Sequence, residues 1–417
     1  AGAPERGDRG PYRQSQRTAV YQREVRRLLD EGKAYRCYCT KEELDAERER
    51  ATAEKRPPRY NGKCRTLTDA DAAARGDAPF VVRFRVPEGY TEIDDLVQGV
   101  VRTENKEFDD FVIQKPNGDP IFHLAVVVDD GLMGVTHILR GDDHLTNATR
   151  HVMLFQALGY PMPKFAHLPM VLDETGKKYS KRLHGANVLD WRNDGYLPEA
   201  LVNYVALLGW TPGDGREVFT RDDLVRAFRI DRLGQSAAKF DLKKLQWLNG
   251  QHLRMLSAEA LRDRVIPILE AAGFDVSSRS PEWLTRMAAI CQEKIRTLNE
   301  IVDYTDFFFA EPRTYDEKAV RKQWSGDDAL ARLQTVRDLL ATATPFDHDG
   351  LKAAFEAKAA ETEASLGQYV HPTRLALTGK SVGPGLFELT ELLGREACLA
   401  RVDNAITYVQ AMGERQS

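Results

Sequence analysis

The chain lacks long hydrophobic runs, is poor in cysteine and carries almost no excess of charge. No apolar stretch approaches the ~18–20 residues needed to span a bilayer, and the start has no signal-peptide core. Both absences predict a soluble, cytoplasmic protein with no membrane partner. Five cysteines are too few and too unevenly placed for a disulfide framework. Three of them crowd into Cys37–Cys64, which points to metal rather than oxidation in a reducing compartment. Net charge is −4, from 59 basic and 63 acidic residues. A nucleic-acid partner would therefore need local basic patches, not a positive body. An initiator methionine is missing too, and Ala1–Gly10 is a polar segment without periodicity. What remains is ample: 417 residues, 42% hydrophobic and 29% charged, enough for about two to four domains with real cores.

The most concentrated chemistry lies in Gly176–Gly185, where four cations (Lys177, Lys178, Lys181, Arg182) fall within six residues around one hydroxyl, Ser180. Glycine lets such a loop move and bring its backbone close to a ligand. Lysines supply point charges, and an arginine supplies a planar fork that suits phosphate oxygens. A mobile cationic loop beyond a buried strand suits a polyphosphate whose charge grows during reaction. The plainer alternative is a solvated basic turn, so the flanking chain has to decide.

Upstream, Arg17–Glu31 has helical spacing, and Thr40-Lys41-Glu42-Glu43 reads as an N-cap opening a charged helix to Lys55. Phe80–Val86, Val97–Val101 and Asp110–Gln114 read as strands, the last closing at Pro116–Asp119. Ile121–Val128 is largely apolar and rich in β-branched residues, which predicts a strand covered on both faces. Val135–Leu139 and Phe165–Leu172 read as further strands, with a helix over Thr146–Leu158 between them. This β-α-β order puts Arg140, Asp143 and the cationic loop at carboxyl ends of neighbouring strands, where open α/β sheets bind ligands. Arg140 could clamp a carboxylate there or pair structurally with Asp142 or Asp143. From Asp190 the pattern turns helical, and beyond Ser257 it is helix after helix: Ala258–Ala272, Pro281–Asp303, Asp316–Trp324, Asp327–Thr342, Asp349–Ala359 and Gly385–Ala405. Cys291 and Cys398 fall in apolar helical patterns and read as core.

Cys37-x-Cys39, a helical excursion and Tyr60-x3-Cys64 can converge on one ion. Three thiolates are good zinc ligands, and a fourth donor would close the tetrahedron. The alternative is three separate core cysteines.

Lys178-Tyr179-Ser180-Lys181-Arg182, followed by His184-Gly185-Ala186 and Asp194–Leu201, resembles the signature loop of class I aminoacyl-tRNA synthetases in the form found in glutamyl-tRNA synthetases. The resemblance covers nearly the whole chain, and its helical second half matches the bacterial or organellar type. It implies an α/β fold: a Rossmann-like parallel-sheet catalytic core with a small mixed α+β zinc-knuckle insertion, then an all-helical anticodon-binding half. The implied segments are 1–16 (remnant of the catalytic domain's first half), 17–121 (acceptor-stem insertion), 122–185 (second half), 186–256 (stem contact) and 257–417 (anticodon binding). It implies ATP-dependent activation of L-glutamate and transfer to tRNA(Glu), by a monomer, with ATP and Mg2+ in play, and Zn2+ if the clustered cysteines close on an ion. Lys178, Ser180, Lys181 and Arg182 would hold ATP, with Lys178 and Lys181 catalytic. Arg140, Phe122 (generally tyrosine in the family), Asp143 and His144 would line the substrate pocket. Lys243, Lys244, Lys294 and Arg374 would contact tRNA. Cys37, Cys39, Cys64 and Tyr60 (or water) would hold zinc. The family's His-Ile-Gly-His motif and Arg-Ile-Glu-Asp stretch occur nowhere in this sequence, and Pro11–Arg17 matches a stretch well inside the family's catalytic domain. A chain so shortened could instead be a non-catalytic tRNA-binding protein, or one that needs another polypeptide for the missing motif.

Overall fold

Apolar spacing along the first long helix, α1 (Thr18–Asp30), buries Tyr21, Val25 and Leu28 on one stripe, and the fold of the first unit builds from that stripe. The computed structural model describes residues 6–179, 187–326 and 328–414. They fall into two units, the first comprising Ala1–Lys178, Leu208–Gly215 and Phe228–Lys239, the second Tyr179–Leu207, Arg216–Ala227 and Phe240–Ser417.

The first unit continues through β1 (Ala34–Cys37), α2 (Lys41–Ala53), α3 (Asp69–Ala73), β2 (Val81–Phe84), β3 (Tyr90–Asp95), β4 (Gly99–Glu104) and β5 (Val112–Gln114). It is completed by α4 (Phe122–Met133), β6 (His137–Gly141), α5 (Leu145–Leu158) and β7 (Lys164–Leu168). Thr40 caps α2 as its sequence predicts, accepting from Glu43 N–H while Glu43 accepts from Thr40 N–H. Strands β1-β2-β5 form one antiparallel sheet and β4-β3-β7-β6 a second, mixed one. In the second, β7 is parallel to both β3 and β6. The hairpin of residues 90–104 thus shares a sheet with β6 and β7, so segments 17–121 and 122–185 meet inside one sheet.

Residues 122–128 are helix, not the doubly covered strand their composition predicts. A short apolar run gives no periodicity to separate a buried strand from a buried helix. The burial decides it: Leu124, Val127 and Val128 face a core shared with Tyr21, Leu28, Phe84, Ile113 and Leu154. Asp129, one turn further, is the second sign. Its carboxylate takes Arg17 Nε at 2.7 Å and Tyr21 Oη at 2.9 Å, contacts on the same helical face as Ala125. Gly134, at φ 70°, then ends the helix in the left-handed region. Strand β3 shows no apolar alternation because it buries Thr91 and Asp95 alongside Ile93.

The second unit is helical among its described residues: α6 (Val188–Asn193), α7 (Pro198–Gly209, whose end belongs to the first unit), α8 (Arg221–Ala227), α9 (Leu242–Arg254), then α10 (Ala258–Ala271) and α11 (Pro281–Gln292). It continues through α12 (Ile301–Phe309), α13 (Glu317–Gln323), α14 (Ala329–Thr342), α15 (His348–Glu361), α16 (Gly367–Thr378), α17 (Leu386–Leu393) and α18 (Arg395–Glu414). One core gathers Leu261, Met287, Phe308, Leu333, Leu377 and Val402 with both expected core cysteines, Cys291 and Cys398. The single helix predicted over Gly385–Ala405 is two, broken at Gly394, whose φ of 85° a residue with a Cβ rarely adopts.

Candidate active site

Parallel pairing sets the site. Arg140 on β6 stands beside His167 on β7, and Asp95 on β3 pairs with Phe165, two residues before His167. Cross-strand partners and residues two apart point to one face. Asp95, Arg140 and His167 therefore project together at the carboxyl ends of three parallel strands. Asp95 Oδ2 lies 2.5 Å from His167 Nδ1, and Arg140 Nε donates to His167 Nε2 at 3.1 Å. Helix α5 brings His151, whose Nδ1 is 3.4 Å from Arg140 Nη1, and α4 brings His123, 3.1 Å from His151 Nε2. Burial, helped by the positive charge of Arg140 and Arg150, lowers both histidines, His151 to about 3 and His123 to about 4. Burial also lowers Arg140 from its ordinary value. Burial alone would raise the Asp95 carboxyl, but hydrogen bonds from Gln98 N–H, His167 and Val97 N–H outweigh it and hold the group below its usual range.

Arg140 pairs with neither Asp142 nor Asp143 among the described residues. Its Nη2 is buried and has no hydrogen-bond partner there. A guanidinium carries five N–H donors; Arg140 uses two, leaving three. Just past β6, Asp143 accepts from Lys178 Nζ at 3.0 Å, and that contact holds its carboxyl below the usual range. The structure thus brings Arg140, Asp143 and the first lysine of the signature loop to one unit. His144 Nδ1 lies 3.1 Å from Asn147 Nδ2. Phe122 opens α4 with half its surface exposed (50%) and its ring edge-on to His123. Ser180, Lys181 and Arg182 lie outside the described residues.

The three thiols of the knuckle do converge. Cys37, Cys39 and Cys64 place their Sγ atoms within 4.8 Å of one another, with Cys39 and Cys64 3.6 Å apart. Sulfurs at about 2.3 Å from a tetrahedral ion sit ~3.8 Å apart, so the donor set fits zinc. Tyr60 Oη is 3.5 Å from Cys37 Sγ and accepts from Cys64 N–H at 2.8 Å. Burial first, then Cys37, raises the Tyr60 phenol well above its ordinary range, which opposes its use as an anionic ligand. Arg83 lies over the Tyr60 ring, 3.8 Å from its centroid, and supplies positive charge beside the thiols. A cavity of about 480 Å³ opens next to this cluster, lined by Arg48, Arg50, Arg59, Lys63 and Asp109 among others.

Of the basic residues expected to meet nucleic acid, Lys243 and Lys294 are exposed. Lys244 is paired with Glu217 at 2.6 Å. Arg374 is half-buried, lowered by that burial, and donates to the Pro384 carbonyl. Lys294 lines a groove of about 360 Å³ with Trp247, Arg254 and Arg296. Trp247 is 42% exposed there rather than packed inward.

Sequence reasoning missed Asp95, His123, His151 and His167. Their grouping depends on the β3–β7–β6 register and on α4 being a helix, neither of which the residue types declare.

A mixed sheet with charged side chains at its parallel carboxyl ends, succeeded by a helical unit, defines a class I aminoacyl-tRNA synthetase once its family matches are added. Residues 4–247 match the family described as "tRNA synthetases class I (E and Q), catalytic domain", and residues 258–406 match "Anticodon binding domain". The glutamate–tRNA ligase of Moorella thermoacetica is 42% identical over 98% of this chain and 84% of its own length. That of Geobacter sulfurreducens is 43% identical over 97% and 85%. Among solved structures, a glutamate tRNA ligase from Elizabethkingia meningosepticum in complex with its amino acid superposes with a TM-score of 0.87 at 29% identity, covering 97% of this chain and 85% of that one. The chain belongs to the glutamate–tRNA ligase family.

Proposed function

We propose that the chain joins L-glutamate to tRNA(Glu) in two steps, acting as a monomer in the compartment where translation occurs. In the first, the α-carboxylate oxygen of glutamate attacks the α-phosphorus of ATP and the bond to the β-phosphate breaks, releasing pyrophosphate. In the second, a terminal ribose hydroxyl of the tRNA attacks the activated carbonyl, and AMP leaves. No general base is needed for the first step, because the attacking carboxylate is already ionised. The histidines therefore need not move protons, in keeping with the low values burial gives His123 and His151.

The observation that carries this reading is the unpartnered Nη2 of Arg140, in a family whose members are named for glutamate. A guanidinium with three free donors calls for a carboxylate, and bidentate pairing supplies both charge and geometry. Arg140 would grip the side-chain carboxylate, with Phe122 as a wall and Asp143 and His144 at the rim. Lys178 and Lys181 would neutralise charge building on the leaving pyrophosphate, with Ser180 and Arg182 holding phosphate oxygens. Lys178 now faces Asp143 across an exposed pair, a contact weak enough in water to be exchanged for phosphate. Mg2+, as class I synthetases use it, would share the phosphate charge. Cys37, Cys39 and Cys64 would hold a structural zinc, with Tyr60 or water completing it. Lys243, Lys244, Lys294 and Arg374 would meet the tRNA. The test is glutamate-dependent exchange of pyrophosphate into ATP, with tRNA(Glu) present. Exchange that requires glutamate is expected. tRNA binding without exchange would overturn the reading in favour of a non-catalytic binder.

A further inference from the structure

The Asp95–His167 pair behind Arg140 has no step to perform in that reaction, yet both side chains are fully buried. We infer that Asp95 and His167 are positioning residues that lock one histidine tautomer and thereby aim the Arg140 guanidinium, leaving Nη2 for the substrate's side-chain carboxylate. The inference rests on the reading of Arg140 as the carboxylate anchor.

Donors and acceptors fix the arrangement. An ionised carboxylate only accepts, so the proton shared with Asp95 Oδ2 belongs to His167 Nδ1. His167 Nε2 then carries a lone pair, and Arg140 Nε–H, which can only donate, meets it at 3.1 Å. A proton on Nε2 would set N–H against N–H and turn the guanidinium away. The same logic runs outward. Arg140 Nη1 faces His151 Nδ1, which makes Nε2 the protonated nitrogen of His151 and His123 Nδ1 its acceptor. One neutral arrangement satisfies every contact from Asp95 to His123. Asp95 itself cannot swing, because Oδ1 accepts from the backbone N–H groups of Val97 and Gln98, each at 2.9 Å, and of His167 at 3.1 Å. Charge around Arg140 comes from Asp95 on β3 and Asp130 on α4, and α5 adds Arg150 beside the two outer histidines.

This makes Asp95→Asn a pointed variant. The three backbone N–H groups demand an oxygen at Oδ1, so the new amide NH2 must face His167 Nδ1. The ring must then take its proton on Nε2, against Arg140. Long-range 1H–15N spectra of the full chain carrying 15N-histidine read this directly, with His167→Gln assigning the signal. The inference expects neutral His167 protonated on Nδ1 at neutral pH in the wild type, and on Nε2 in Asp95→Asn. A wild-type His167 that is Nε2-protonated or an imidazolium overturns it, whether or not the variant folds. In pyrophosphate exchange, Asp95→Asn and His167→Leu are expected to raise the glutamate KM by about tenfold or more with the ATP KM unchanged. His167→Gln, which keeps an acceptor for Arg140 and a donor for Asp95, recovers part of the loss. A glutamate KM that stays put in Asp95→Asn while Arg140→Ala raises it refutes the positioning role. If Arg140→Ala leaves it unchanged, the anchor reading itself has failed.

Discussion

Single side chains decide the chemistry here, and burial is what makes them informative. His123 and His151 sit neutral in a face they share with Arg140, with ordinary values near 6.5 lowered to about 4 and about 3. The unfolded chain therefore binds protons at these sites below about pH 6.5 while the folded chain does not, so stability falls as pH drops through that window. The loss is up to about 1.4 kcal/mol per pH unit per histidine. Urea melts at pH 7, 6 and 5 are expected to show a falling midpoint, and His151→Gln to flatten the slope between pH 6.5 and 5; an unchanged slope would mean His151 is not held neutral. Arg140 was visible in the sequence as a strand-tip arginine, but its partners were not. Asp142 and Asp143 are its neighbours in the chain, whereas His167 and His151 are its neighbours across β7 and α5. Chain proximity and register are different kinds of information, and only the first can be read from the residues. The knuckle was legible for the opposite reason. Cys37 and Cys39 lie two residues apart in the chain, and the turn that Arg65 N–H closes on the Gly62 carbonyl returns Cys64 to them. Cys64→Ser is expected to lower zinc from about one ion per chain to a small fraction of that, measured by plasma emission on purified protein. Unchanged zinc would discard the site.

At the scale of elements, the capped helix α2, the helix α5 and the strand β7 follow directly from their patterns. Helix α4 does not, because a run of eight residues, seven of them apolar, satisfies a buried helix and a buried strand equally. The difference matters for function, since only a helix presents His123 to His151 while tying Asp129 to Arg17 and Tyr21. Leu124 lies at the centre of that packing and is fully buried. Leu124→Ala is expected to destabilise the chain by about 2–5 kcal/mol in denaturant unfolding. A change under about 0.5 kcal/mol, typical of surface positions, would mean α4 does not pack as described. Strand β3 escaped notice because its inward residues are Thr91, Ile93 and Asp95. One of those polar positions is the carboxylate that orients His167, so the residue that hid the strand is part of the site.

For the molecule as a whole, the division of labour was readable: an α/β catalytic unit, then helices with a shared core around Leu333, Leu377 and Val402. That reading stands on amphipathic spacing, which survives without knowledge of tertiary contacts. Helix breaks such as Gly394 were not readable, because a glycine inside an apolar pattern is compatible with continuation. The proposed function turns on the carboxyl ends of β6 and β7 presenting Arg140 to the side chain of glutamate. The most direct measurement is a crystal structure of the chain soaked with L-glutamate. The side-chain carboxylate is predicted to lie within hydrogen-bonding distance of Arg140 Nη2, with His167 still bonded to Nε. Density for glutamate bound elsewhere, with Nη2 left unpaired, would contradict it.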